Sequence, residues 1–336
     1  MSSGYLSIAR RRNECVAGLS ERMAPHSLNI QGGVDSMGSV KRASNWNRDI
    51  AKRNISGWLI LLPGIILFAF FVWEPLLESI RLSLYTARGF ELQEFVGLQN
   101  YITVFKHPDF APAVINTFKY TLWSLVIGFV VPIIMATLIT ETVNMKGFFR
   151  LGVYFPNIVP GLAMATLFIY FFTPGPTGVL NILLGQIGID PQIWLTNPKR
   201  TIPLIVMVLT WKSAGSTALI YMASMGSISP QLYEAAAIDG ARLWGRFRHI
   251  TIPGIMGTIK MLLILQIIAV FQILYEPLVM TNGGPNNASI SIMQVVFRYA
   301  FQNFNFPMAA AVSVLICIIL VLLTALYFRV TRERNA

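Results

Sequence analysis

Six apolar runs set the pattern of this chain. They cover roughly Trp58 to Leu77, Thr117 to Ile139, Leu151 to Phe172, Ile202 to Met222, Ile255 to Leu278 and Met308 to Phe328. A helix needs about 20 mostly apolar residues to cross the hydrocarbon core of a bilayer. Each run therefore predicts a spanning helix, and together they predict an all-α integral membrane protein of six spans. The second run carries Pro132, and the third carries Pro156 and Pro160. Proline is tolerated inside a membrane helix where neighbours satisfy the freed backbone groups, and it marks a kink. The fifth run contains Gln266, Gln272 and Glu276, which a helix facing lipid would not carry.

Between the fourth and fifth runs lies a polar island, residues 229–253. Ser229 can cap a helix, and Pro230 suits its first position. Gly240 can close the helix just past its end. A helix of roughly ten residues follows, too short to span. Glu234 is expected near its N-terminus, where a carboxylate complements the helix dipole. Ala235, Ala236 and Ala237 leave a smooth surface that another protein can approach closely. Asp239 and Gly240 form the turn. Leu243 to Ile250 then reads as an amphipathic segment that brings Trp244 and Phe247 back toward the membrane, and Pro253 opens the next span. Residue by residue, an ordinary connection between two spans is the stronger reading. The complete pattern is what sets this loop apart.

Composition agrees with a lipid solvent. The 336 residues are 54% hydrophobic and 12% charged, with mean hydropathy +0.60. Soluble domains carry about 25% charged residues. The net charge is +11. Because the basic residues flank apolar runs, they indicate membrane topology rather than nucleic acid. Seventeen Lys and Arg fall in the two tails and in the loops on their side, against six in the opposite loops. Both termini and the 229–253 loop are thus expected in the cytoplasm. Residues 1–55 are polar and basic, and read as a disordered tail without a signal peptide, with Met23 and Met37 as alternative starts. Residues 330–336 form a short cytoplasmic tail after a membrane domain spanning 56–329. Cys15 and Cys317 lie in a polar tail and an apolar run, a poor arrangement for a disulfide. His26, His107 and His249 are dispersed, which argues against a metal or haem site.

No catalytic constellation appears: there is no His-Glu-x-x-His, no Gly-x-Ser-x-Gly and no paired carboxylates. The phosphate-binding Gly-x-x-x-x-Gly-Lys-Ser/Thr loop is also missing, so the chain is not expected to hydrolyse ATP. A transporter driven by an ion gradient is the competing class. Such proteins often show inverted repeats and intramembrane acidic residues, and this sequence shows no clear repeat and no acidic pair at mid-depth.

The loop Glu234-Ala-Ala-x-x-Asp-Gly-Ala241, followed by Phe247, Ile250 and Pro253, resembles the cytoplasmic Glu-Ala-Ala loop of the permease subunits of binding-protein-dependent ABC importers. The carbohydrate-uptake class, which includes the maltose-type permeases, is the nearest likeness. Other segments agree: Phe95-Val-Gly-Leu-Gln-Asn-Tyr101, His107-Pro-Asp-Phe110, Asn116-Thr117, Tyr154-Phe-Pro156 with Pro160, Trp211-Lys212 with Gly215, and Thr281-Asn-Gly-Gly-Pro285. The likeness runs from about Ser56 to Arg329. Ile252 stands where the family usually has Leu, and the long N-terminal tail is unmatched.

The resemblance implies the type I importer architecture in a bacterial cytoplasmic membrane. It implies a second permease (by family habit a different chain), two ATP-binding subunits that use ATP and Mg, and an extracytoplasmic solute-binding protein. This chain would bind no cofactor itself. Glu234, Ala235, Ala236, Asp239, Gly240, Ala241 and Pro253 would form the part gripped by the ATPase. By the same resemblance a sugar site lies between the spans flanking the loop, near Lys212, Ser213, Ser216 and Gln266. Thr217 and Gln272 join these as polar groups at membrane depth. Ser213, Ser216 and Thr217 share one helical face, and Trp211 or Tyr221 can stack on an apolar sugar face. Serine and threonine also mediate helix packing in membranes, and Lys212 can snorkel, so the packing reading stands beside the pocket. Glu276 reads first as an interfacial carboxylate, with a gate or a contact for the binding protein as the alternatives. Arg242, Arg246 and Arg248 suit an ATPase, anionic headgroups or solvent.

Overall fold

The computed structural model describes residues 57–89, 91–141 and 146–333. The predicted tail, residues 1–55, and residues 334–336 lie outside the described residues. The chain divides into two compact units, Met1–Ala69 and Phe70–Ala336. In the first, the described residues are helical and exposed throughout. They begin the candidate span Gly57–Leu82 (α1).

The second unit is mostly helical. Three further helices are long and apolar enough to cross a bilayer: Phe110–Glu141 (α3), Thr201–Met225 (α7) and Phe306–Glu333, apolar as far as Thr331 (α13). Between α1 and α3 come a hairpin, Tyr85–Arg88 (β1) paired antiparallel with Glu91–Phe95 (β2), and the short helix Gln99–Lys106 (α2). The hairpin is an addition to the all-α expectation. Asn100 donates to the carbonyls of Ser83 and Tyr85, both at 2.9 Å, and so ties the hairpin to α2.

Proline chemistry sets the irregularities of the spans. In α3, Pro132 has no N–H to offer the Gly128 carbonyl. The backbone widens there into a π-helical turn, Ser124–Gly128, closed by Phe129 N–H on the Ser124 carbonyl at 2.9 Å. The third run is not one helix. It is Lys146–Ile158 (α4) and Gly161–Phe171 (α5), bent by 93° at Pro160. A residue before proline avoids the helical region, so Val159 releases the first helix and Pro160 starts the second. The fifth run also departs from expectation. Leu243–Gly254 (α9), Met256–Phe271 (α10) and Tyr275–Thr281 (α11) follow one another, with a 73° bend between the first two. Pro253 therefore belongs to the end of α9 rather than opening α10. Among the described residues there are thus four unbroken candidate spans, or up to six if each bent pair counts as one.

Helix α7 is the centre of the unit. It packs on α3 and α4, and its Gly215 lies so close to α4 that a Cβ would sit 1.7 Å from the Val153 carbonyl oxygen. The unit holds three buried clusters, and α7 contributes to the last two named here. One joins Ala113 of α3 to Val312 of α13, one joins Tyr120 to Ile205, and one joins Ala136 to Ala218 and Tyr221. Short helices Val179–Gly185 (α6) and Ile292–Phe297 (α12) complete the connections.

Candidate functional site

The polar island folds as a helix, Pro230–Ile238 (α8), with Pro230 at its first position. Its end matches expectation in detail. Gly240 takes φ +76°, its N–H bonds the Ala237 carbonyl at 3.1 Å, and the Ala241 N–H bonds the Ala236 carbonyl at 2.8 Å. This paired closure on a left-handed glycine satisfies the last free carbonyls. Two local expectations fail. The Ser229 hydroxyl bonds the Gln231 side chain, not the helix N–H groups. Glu234 is the fifth residue of the helix and stands outside the first turn, so the dipole at that end does little for it.

Glu234, Ala235, Asp239 and Gly240 are exposed, while Ala236 and Ala241 are half-buried. Ile238 is 87% exposed and Trp244 68%. The helix is anchored through its other side. Tyr233 and Thr251 share a hydrogen bond of 3.0 Å, and Arg246 of α9 pairs with Glu141 of α3 at 3.4 Å. Phe247 packs against the Ala218 cluster, as the amphipathic reading anticipated, whereas Trp244 stays outside. Among the three arginines, only Arg246 has an ion pair among the described residues.

Further along α7, a cavity of about 430 Å³ opens between α7, α10 and α3, and Gln272 to Glu276 close one end. Helical spacing puts Val206, Thr210, Ser213 and Thr217 on one wall and Leu262, Gln266 and Ala269 on the other. The Gln266 amide donates to Ser124 at the π-turn of α3. The turn leaves no room for a side chain at Gly128, whose Cβ would meet the Gln266 nitrogen at 2.9 Å. Hydroxyls and amides set among leucines suit an uncharged, partly apolar solute, and the volume is that of a small-molecule site.

The cavity takes in Ser213, Thr217, Gln266 and Gln272, and leaves out Lys212 and Ser216. Lys212 reaches toward the α4–α5 break, where its Nζ lies 3.2 Å from the position of a Gly161 Cβ. Ser216 Oγ turns back to the Ser213 carbonyl at 2.8 Å. Neither aromatic proposed for stacking lines the cavity: Trp211 packs edge-on against Phe168, and Tyr221 is fully buried. Gln272 stands past the end of α10 instead of within it. Sequence reasoning missed Tyr120, Ser124 and Thr210, although the same search for polar groups at membrane depth, applied to the second run and to all of the fourth, would have found them.

At the far end of α3 from Glu141, the remaining motif residues form one network. Asn116 donates to the carbonyls of Asn287 (2.7 Å) and Ile290 (3.2 Å), and Thr117 accepts from the Ile292 N–H at 3.0 Å. Asp109 accepts from Asn287 at 2.7 Å and from Arg298 at 3.1 Å, and Arg298 also donates to the Asn282 carbonyl at 2.8 Å. Burial, helped by the Asp109 carboxylate, pushes the Tyr299 phenol up to about 12.

A bundle of bent spans around a polar cavity, joined to a short exposed helix, defines a multi-pass membrane transport subunit. The chain belongs to the family of binding-protein-dependent transport system inner membrane components, whose model matches residues 128–332. It is 33% identical over 288 residues to the lactose transport system permease protein LacF of Rhizobium radiobacter, covering 84% of this chain and 96% of that protein. It is 29% identical over 282 residues to the sn-glycerol-3-phosphate transport system permease protein UgpA of Escherichia coli (strain UTI89 / UPEC), covering 82% and 94%. Among solved structures, it is similar to a bacterial ABC transporter involved in the import of the acidic polysaccharide alginate. That likeness has a TM-score of 0.74 and 29% identity, over 86% of this chain and 99% of that one.

Proposed function

We propose that this chain is a permease subunit of an ATP-driven importer for a carbohydrate or related polyol in a bacterial cytoplasmic membrane. In this reading each bent pair is one span, giving six, and both termini and α8 face the cytoplasm. The domain limits are those of the sequence, a membrane domain over 56–329 between two polar tails. A partner ATPase binds ATP and Mg and grips α8 through Glu234, Ala235 and the turn at Asp239 and Gly240. A second permease completes the path, and an extracytoplasmic binding protein delivers the solute to the end formed by the Asp109–Arg298 network.

One observation carries the reading. The segment gripped from outside, α8 with α9, is the direct connection between α7 and α10, and these two helices form facing walls of the cavity. A load on α8 therefore reaches both walls through the backbone. Alternating access needs a partner with different contacts in two states, and ATP-driven closure of the ATPases supplies it. Ser213, Thr217, Gln266 and Gln272 provide hydroxyls and amides for sugar hydroxyls, while Lys212 and Ser216 support the wall from behind.

The test is purification from the native membrane with a tag on this chain. An ATPase and a second permease should come down with it, and vesicles holding the complex should take up saccharide only with ATP and binding protein. Isolation alone, with uptake driven by an ion gradient, overturns the reading.

A further inference from the structure

Glu276 is the only acidic residue among those that line the cavity. Glu276 lies in the first turn of α11, is 8% exposed and lines the cavity. None of the cavity's lining residues is Lys, Arg or His. Among the described residues no cation comes within 4.0 Å of the carboxylate. Lys212 acts on it only across a distance, since its ammonium is turned to the α4–α5 break and it is absent from the lining. The other polar groups are neutral hydroxyls and amides, among them Tyr120, Ser124 and Gln266.

We propose that Glu276 is a specificity-determining residue that makes this cavity a site for uncharged or amine-bearing saccharides and closes it to uronates and other anionic sugars. The proposal rests on the carbohydrate reading above. Two physical effects act together. A sugar carboxylate entering the cavity leaves water and finds no cation to pair with, which is costly in a low-dielectric site. It also meets the field of a second carboxylate, and like charges in such surroundings repel strongly. A neutral sugar meets neither obstacle, and its hydroxyls can donate to the Glu276 oxygens as charge-assisted bonds. An amino sugar gains an ion pair.

The test separates the cavity from the binding protein, which could impose its own selection. The complete complex, with its partner permease and ATPases, is placed in lipid nanodiscs without the binding protein. Saturation-transfer NMR then measures direct binding of neutral probes (lactose, maltose and arabinotriose) and of trigalacturonate. Signal from the cavity is defined as the part lost on Ser213→Trp. The expected result is binding of at least one neutral probe, with trigalacturonate weaker by about tenfold or more. In Glu276→Gln, which keeps the shape and removes the charge, the gap should narrow to about threefold or less, with the neutral probe losing only the charge-assisted part of its bonds. Equal binding of the acidic and neutral probes by the unaltered complex overturns the inference and leaves the carbohydrate reading intact. An unchanged gap in Glu276→Gln removes Glu276 from the role. If no saccharide gives cavity-dependent signal, the reading of the cavity itself falls, and the inference falls with it.

Discussion

Gly215→Ala adds one methyl group where the structure has no space for it. A Cβ at this position would lie 1.7 Å from the Val153 carbonyl oxygen, 2.4 Å from its carbon and 3.1 Å from the Tyr154 nitrogen. Carbon and oxygen atoms in contact need about 3.2 Å or more, so α4 and α7 would have to part by roughly 1.5 Å; packed interiors resist even small changes of volume. The obstacle is backbone, so no side-chain rotation relieves it. Overpacking of this kind costs about 1–3 kcal/mol. Gly152 offers a control in α4 itself, because a Cβ there meets nothing within 4 Å. Alanine in a helix is favoured over glycine by roughly 0.5–1 kcal/mol, so Gly152→Ala should be neutral or stabilising. Thermal unfolding of the complex in nanodiscs reads both effects, at about 2–4 °C per kcal/mol for a domain of this size. Gly215→Ala should melt several degrees lower and Gly152→Ala no lower than the wild type. Identical melting of all three proteins would refute the close approach of α4 to α7.

Three other changes have definite expected outcomes. Gly240→Val places a branched side chain at φ +76°; the strain is roughly 1–2 kcal/mol, and hydrogen exchange should show the end of α8 fraying while the long spans stay protected. Asp109→Asn leaves Arg298 without its 3.1 Å partner, and exchange should quicken at the Asn282–Ile292 backbone but not at α8. Arg246→Ala and Glu141→Ala remove the partners of a half-exposed pair at 3.4 Å; a double-mutant cycle on melting should give about 0.2–1 kcal/mol of coupling, and a larger value would mean the pair is more deeply shielded than its exposure indicates.

Much of this was legible before any coordinates. Long apolar runs reported α3, α7 and α13, because a bilayer imposes a length and a hydropathy that few other environments require. The stop of α8 was legible because a left-handed turn selects glycine at one position, Gly240. The breaks were less so. Pro156 and Pro160 signalled a kink, yet sequence could not distinguish a kink from a 93° bend, since that depends on how α5 is received by its neighbours. The cavity was half legible. Ser213 and Ser216 look alike in sequence, and each donates to a backbone carbonyl of α7, but only Ser213 lines the cavity, and the rotation of α7 against α10 decides between them. Ser124 lies in the second run, where a search for polar groups would have found it, and Glu276 stood out in the fifth; that both line one cavity with α7 and α10 is a long-range arrangement. The Asp109, Asn116 and Asn282 motifs were visible as separate stretches; their union is a long-range contact that spacing alone does not encode.

The central claim is that α8 is the handle through which an ATPase moves the walls of the cavity. Glu234 is the exposed carboxylate of that handle, and Glu234→Lys reverses its charge without touching the Gly240 closure or the Tyr233 anchor. The decisive measurement is binding-protein-stimulated ATP hydrolysis and saccharide uptake by the reconstituted complex carrying this change. With α8 as the handle, stimulation and uptake should fall together by about tenfold or more, as a like-charge clash at an interface would produce, while cavity binding of a neutral saccharide is unaltered. Wild-type uptake in Glu234→Lys would contradict that role.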